Sequence, residues 1–302
     1  MLAKQDECNP MKPESNATEL ADLYLDLMKK CLTRYIFPDT YRPLRPSRAI
    51  HPVKWAVYPP ISAILERKGL GLYRYAKFDP MARAEGRDYP AEADTMIGLK
   101  RLDNLHSCIE KVLRDEVPGD FVETGVWRGG TCIFMRAALK AYMDSTRRVW
   151  VADSFEGVPK PDGRYPQDEG DLHWTMSDYF GISLDQVKAN FSRYGLLDER
   201  VCFLKGWFKD TLPTAPIERL AILRIDGDLY SSTMDSLRNL YSKLSEGGYV
   251  IIDDYGAMDT CHKAVDDFRA RKQIRTPVIP IDWTGVYWRK LDGEPLHDFP
   301  ES

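Results

Sequence analysis

The sequence predicts an α/β fold built on a mostly parallel sheet with helices on both faces. Two observations carry this. From residue 118 onward, short and nearly continuous apolar runs alternate with helical patterns, and strands that read apolar throughout are those buried on both sides. The last apolar run, VIPIDWTGVYWRK (278–290), splits at Thr284-Gly285 into two strands. That adds an antiparallel hairpin at one edge and brings the count to seven strands.

Residues 1–16 are polar and read as a disordered tail. A helix is expected to begin near Ser15–Thr18, with Ser15 or Asn16 as its cap and Leu20, Leu23, Leu27 and Met28 at helical spacing. From Phe37 to Pro60 the chain is rich in proline and aromatics, which predicts an irregular segment or a partner-binding surface. A short helix at Ile61–Lys68, a loop at 82–90 and an amphipathic helix at Ala93–Leu113 follow, the last with Met96, Leu99, Leu102, Leu105, Ile109 and Leu113 on one face. Strands are then expected at 120–126, 148–155, 201–208, 220–227 and 249–255, and helices at 129–143, 183–195, 231–244 and 260–272. The domain reading is a tail (1–16), a helical and irregular cap (17–117), a core (118–291) and a C-terminal tail (292–302).

A net charge of −4 gives no electrostatic case for nucleic acid or an anionic membrane surface. No apolar stretch is long enough to span a bilayer. The N-terminus lacks the apolar centre of a secretory signal, so a cytoplasmic location is expected. The six cysteines form no CxxC pair, and the five histidines form no HExxH or other zinc spacing. The cysteines read as structural thiols.

In open α/β sheets ligands sit at the carboxyl ends of the strands, so those ends carry the candidate site. The first ends in Glu123-Thr124-Gly125-Val126-Trp127-Arg128-Gly129-Gly130. Its glycines allow close backbone approach to a ligand, or merely a tight turn into the next helix. Asp153, at the second strand end, suits a ribose diol or a turn cap. Gly206-Trp207-Phe208, at the third, suits an adenine slot or plain packing. The fourth and fifth ends are the most informative. ILRID and VIIDD drive Asp226, Asp228, Asp253 and Asp254 out of apolar strands that should be neighbours. Converging carboxylates repel one another and are costly to desolvate. A hard divalent cation, Mg²⁺ above all, is the simplest compensation. The plainer alternative is that Asp228 and Asp254 cap the helices that follow them.

At these residues the chain resembles the macrocin O-methyltransferase (TylF-type) family. ETGVWRGG, VADSFEG, GWFKDTLP, RIDGDLYSSTMDSL and GGYVIIDDYG carry the resemblance, together with LYLDLMKKCLT (23–33), GRDYP and TMIGLKRLDNL (86–105). It covers most of residues 20–290. The stretch at about 37–80 departs from it, being longer than the family's usual N-terminal region. The resemblance implies a class I methyltransferase, Rossmann-like sheet, S-adenosylmethionine and Mg²⁺ as cofactors, and a homo-oligomer. By motif, Asp226, Asp253 and Asp254 would be the metal ligands and Asp228 the general base. Glu123, Thr124, Gly125, Val126 and Trp127 would meet the methionine portion of the cofactor. Asp153 would hold its ribose. Ser154, Gly206 and Trp207 would border the adenine, with Phe155 and Ser192 in the same cofactor set. Thr95 and Met96 would close over it from the N-terminal side.

The expected reaction is methylation of a deoxysugar hydroxyl in a glycosylated natural product. A vicinal diol would chelate the metal through two oxygens, and Asp228 would take the proton. His173, in the long connection 164–180, is a rival base or a substrate contact. Tyr255 and His262 are candidates for the pocket wall. A catechol or phenol acceptor is the main alternative, with Trp55 and Tyr58 as further pocket candidates. A nicotinamide-dependent oxidoreductase is disfavoured by the missing GxGxxG and by the second acidic cluster. A non-catalytic module using 37–80 is the third reading.

Overall fold

The computed structural model describes residues 13–39, 41–43, 52–75, 77–88, 90–291 and 293. Its first helix, α1 (Pro13–Leu32), starts at a proline, whose fixed φ suits a first helical turn. Residues 13–16 therefore belong to a helix and not to the expected tail. Ala21, Leu25, Met28 and Leu32 form its buried stripe, while Leu20, Leu23 and Leu27 face outward. Both sets have helical spacing, and docking on the core selects between them. A small antiparallel pair follows, β1 (Tyr41–Pro43) with β2 (Tyr73–Tyr75). Between them α2 (Pro52–Glu66) is a regular helix where the sequence predicts an irregular segment up to Pro60. It also begins on a proline. Pro59 and Pro60 lie inside it and remove two N–H donors without ending it.

Next come α3 (Pro80–Ala84) and α4 (Leu99–Arg114). The helix expected from Ala93 starts instead after Gly98, so Thr95 and Met96 lie in the turns before it. This entry segment is tied down by its backbone. Asp94 N–H donates to the Leu32 carbonyl and Gly130 N–H to the Asp94 carbonyl. Arg128 donates to the carbonyls of Ala91 and Ala93, each at 2.7 Å.

The core elements are β3 (Asp120–Thr124), α5 (Gly130–Ala141), β4 (Val149–Asp153), α6 (Ser177–Phe180), α7 (Leu184–Arg193), β5 (Val201–Lys205), α8 (Phe208–Thr211), β6 (Leu220–Ile225), α9 (Tyr230–Leu240), β7 (Leu244–Ile252), α10 (Asp259–Arg271), β8 (Ile279–Pro280) and β9 (Val286–Arg289). The sheet order is β5-β4-β3-β6-β7-β9-β8. β3 to β7 are parallel, and β9 is antiparallel to both β7 and β8. The expected seven-stranded sheet with its antiparallel edge hairpin is present. Most of the expected strands end two or three residues early, and the largest difference is in β7, which starts at Leu244, runs through Gly247-Gly248 and shifts register there. The two glycines make an irregularity and not the stop their composition suggests.

Alternate strand residues feed two cores. Phe121, Val151 and Ile251 pack with residues of α1, α4, α5 and α7. Val122, Ala152, Val250 and Ile252 pack with α9 and α10. The order reverses between β3 and β6, since β4 and β5 extend the sheet one way and β7 the other. A crevice outside the carboxyl ends at such a switch point is where ligands bind. Among the described residues no helix is long and apolar enough to cross a membrane.

Candidate active site

Four backbone hydrogen bonds carry the sheet past its strand ends and bring the chemical residues level. Gly206 N–H donates to Asp153, Gly125 to Ala152, Asp226 to Thr124 and Asp253 to Ile225, all at 2.9 Å. β3 and β6 approach so closely that a Cβ on Gly125 would stand 1.7 Å from the Asp226 carbonyl oxygen. Gly125 also has φ +86°. Both facts exclude a side chain there. Above these ends lies a cavity of about 500 Å³.

Asp226, Asp253 and Asp254 each bring a carboxylate oxygen within 4.8 Å of the others'. The structure also explains how so many acids coexist. Arg224, almost wholly buried inside β6, pairs with Glu123, Asp226 and Asp253. Arg101, from the first turn of α4, pairs with the other Asp253 oxygen and with Asp282. Sequence reasoning missed both arginines. Arg224 had a signal, because an arginine within LAILRI is an anomaly that only paired acids resolve. Two guanidiniums do not balance Glu123, Asp226, Asp228, Asp253, Asp254 and Asp282. Burial, and then repulsion from Asp253, hold the Asp226 carboxyl well above the ordinary range, although Arg224 opposes this. Asp254 is raised in the same way by burial and by Asp228 and Asp226.

Neither Asp228 nor Asp254 caps a helix with its side chain. The start of α9 is capped from a distance: the Asp168 carboxylate accepts from Tyr230 N–H (2.8 Å) and Ser231 N–H (3.0 Å). No spacing rule in the sequence points to that contact. It leaves Asp228 facing the cavity in a left-handed conformation, φ 55°. Its N–H donates to Asp254 at 3.3 Å. Burial raises the Asp228 carboxyl to about 6, with His173 pulling the other way.

Asp153 takes the turn-capping role and also faces the cavity. It lines the cavity, and its oxygens accept from Val126 N–H (2.8 Å) and Phe155 N–H (2.7 Å). Glu123 lies at the cavity floor, held by Arg224 and by the Cys132 thiol at 2.9 Å. Thr95, Met96, Val126, Trp127, Ser154, Trp207 and His173 also line the cavity. Five expected site residues do not. Thr124 accepts from Ser236 of α9 on the far face of the sheet. Phe155 packs on Phe203. Ser192 is exposed on α7, because its neighbour Phe191 takes the buried position. Gly206 contributes only its strand-end hydrogen bond. Tyr255 turns to Asp266 and stacks on His262, 4.0 Å between ring centroids. Tyr58 is not among the lining residues, and the side chain of Trp55 lies outside the described ones. A second convergence, of Asp22, His106 and Glu110, is gathered around the Tyr142 hydroxyl and fastens α1 to α4 and α5.

Comparison with known proteins decides the family. The model for macrocin O-methyltransferase (TylF) matches residues 21–290. The chain belongs to that family. It is therefore an O-methyltransferase of the S-adenosylmethionine-dependent class. A relative from Streptomyces olivaceus, named 8-demethyl-8-(2,3-dimethoxy-alpha-L-rhamnosyl)-tetracenomycin-C 4'-O-methyltransferase, is 53% identical over 89% of this chain and 92% of its own. Mycinamicin III 3''-O-methyltransferase of Micromonospora griseorubida is 49% identical over 89% and 96%. Among solved structures, the O-methyltransferase NovP superposes with a TM-score of 0.77 at 45% identity, covering 90% of this methyltransferase and 99% of that chain.

Proposed function

We propose that this methyltransferase methylates a sugar hydroxyl of a glycosylated natural product, with a magnesium ion at Asp226, Asp253 and Asp254. The observation that carries the reading is the convergence of those three carboxylates beside Asp228, whose side chain caps no helix. The relatives' names support the acceptor class: one acts at a 4' position of a rhamnosylated compound, another at a 3'' position. A third relative, from Streptomyces niveus and 47% identical over 89% of this chain and 94% of its own, is named demethyldecarbamoylnovobiocin O-methyltransferase.

The donor set fits a hard cation, since it offers carboxylate oxygens alone and retains negative charge after Arg224 and Arg101 are counted. When bound, such an ion supplies positive charge that lowers the pKa of an acceptor hydroxyl. S-adenosylmethionine supplies the electrophilic methyl group. The chain's own residues do the rest. The turn at Gly125 admits the cofactor against the backbone, Asp153 receives its ribose, and Glu123 lies under its methionine end. Trp207 and Ser154 border the base. Asp228 accepts the proton of the attacking hydroxyl. Holding donor and acceptor together supplies much of the rate. His173, anchored by Asp171 at 2.8 Å, stands at the acceptor side as a contact to substrate. The outward stripe Leu20, Leu23, Tyr24 and Leu27 supports assembly into a homo-oligomer, measurable by light scattering.

The test is transfer of a tritiated methyl group to the three compounds that the relatives' names identify, with a simple catechol alongside. Sugar methylation is expected. Methylation of the catechol alone would refute it. Asp228→Asn is expected to lower kcat by about 10²-fold or more while S-adenosylhomocysteine binding stays intact. Substantial residual turnover would remove Asp228 as the base.

A further inference from the structure

Of the three tryptophans lining the cavity, two stand at the ends of cofactor-side strands: Trp127 after β3 and Trp207 after β5. The third, Trp283, belongs to the turn between β8 and β9 and is fastened to the acid cluster. Arg101 pairs with Asp253 and, through Nε at 3.0 Å, with Asp282, the residue before Trp283. Thr284, the residue after it, donates its hydroxyl to the Asp253 carbonyl at 2.9 Å. Asp282 folds the turn by accepting from Thr284 N–H (3.0 Å) and Gly285 N–H (2.8 Å). The Trp283 backbone is thus hung from a proposed metal ligand on both sides.

The ring itself is held from the opposite direction. Its indole N–H donates to the Glu85 carbonyl at 2.8 Å. The Arg87 guanidinium lies 4.9 Å over the ring centroid. Nonetheless 36% of Trp283 is exposed, and it lines the cavity with Ala257 and Met258. A large aromatic left partly bare at a cavity wall, with its polar handle satisfied and its orientation fixed, is suited to receive an apolar surface. A pyranose presents such a surface: its axial C–H groups form one weakly positive face, complementary to the negative face of an aromatic ring.

We propose that Trp283 is the acceptor platform, stacking against the C–H face of the sugar whose hydroxyls meet the acidic cluster. This rests on the sugar-methylation reading above and adds the residue that orients the sugar. A pre-oriented ring spends little conformational entropy on binding, so the stack adds acceptor affinity that is equal in the ground state and the transition state.

The test uses the full-length enzyme with saturating S-adenosylmethionine and Mg²⁺. The acceptors are demethyldecarbamoylnovobiocin, mycinamicin III and the rhamnosyl-tetracenomycin. Trp283→Ala is expected to raise acceptor KM about tenfold or more with kcat within about threefold, a loss of uniform binding. Trp283→Phe should fall between Trp283→Ala and wild type. S-adenosylhomocysteine affinity by calorimetry should match wild type in both variants. An unchanged KM in Trp283→Ala, with the wild type still methylating sugars, would overturn the platform alone. A wild type that methylates only a catechol would overturn the underlying reading and the platform with it. Weakened S-adenosylhomocysteine binding in both variants would show a collapsed turn and also count against the platform.

Discussion

Arg224 sets the character of the site at the scale of single residues. It is 1% exposed and pairs with three carboxylates from three strands. Removing one member of a buried ion network leaves the others charged and without a partner, at a cost of about 3–5 kcal/mol. Arg224→Met should therefore lower stability by about that much in denaturant titration, while Arg224→Lys retains part of it. A loss within error of zero would show that solvent already screens the cluster. The four aspartates were legible because each is an acid expelled from an apolar strand. Their counter-charges were less so: Arg101 reads as one more polar position of an amphipathic helix until α4 is placed over β7. Ser192 and Tyr255 show the opposite error. Tyr255 directly follows Asp254 but its side chain turns to Asp266, and Ser192 sits on the exposed side of α7.

At the scale of elements, the long connection between β4 and α7 is not a slack loop. Asp168 pins it to the N-terminus of α9, and Arg164 reaches Asp235 on the same helix, at 3.2 and 3.0 Å. A helix start with its first N–H groups satisfied from 62 residues away couples the cover of the cavity to the helix that follows Asp228. Asp168→Ala should cost about 1–2 kcal/mol, as loss of a cap does. Cleavage by a protease should rise within 158–180 before it rises elsewhere. Uniform cleavage would mean the pin is not local. The core strands and helices were readable from periodicity because the sheet buries both faces of each strand. The N-terminal cap was readable only in part, since α1 and α4 were expected but α2 was not. α2 carries two internal prolines, and the stripe that α1 buries was decided only by docking.

At the scale of the whole molecule, the site joins pieces far apart in sequence. Asp253 and Asp254 end β7, Arg101 comes from the cap, and the β8–β9 turn closes over both. A cation bound at such a junction stabilises every element that contributes to it. Ligand binding to the folded state alone adds RT ln(1 + [L]/Kd), about 2.7 kcal/mol at a hundredfold excess over Kd. Mg²⁺ at that excess should raise the unfolding midpoint by several degrees relative to chelator, roughly 2–4 °C per kcal/mol for a chain of this size. The rise should shrink sharply in Asp253→Asn and Asp254→Asn, which remove a charged ligand. It should persist in Asp228→Asn if that residue serves the proton and not the ion. A Mg²⁺ shift that survives in all three variants would place the ion elsewhere. One lost equally in all three would make Asp228 a fourth ligand and reopen the identity of the base.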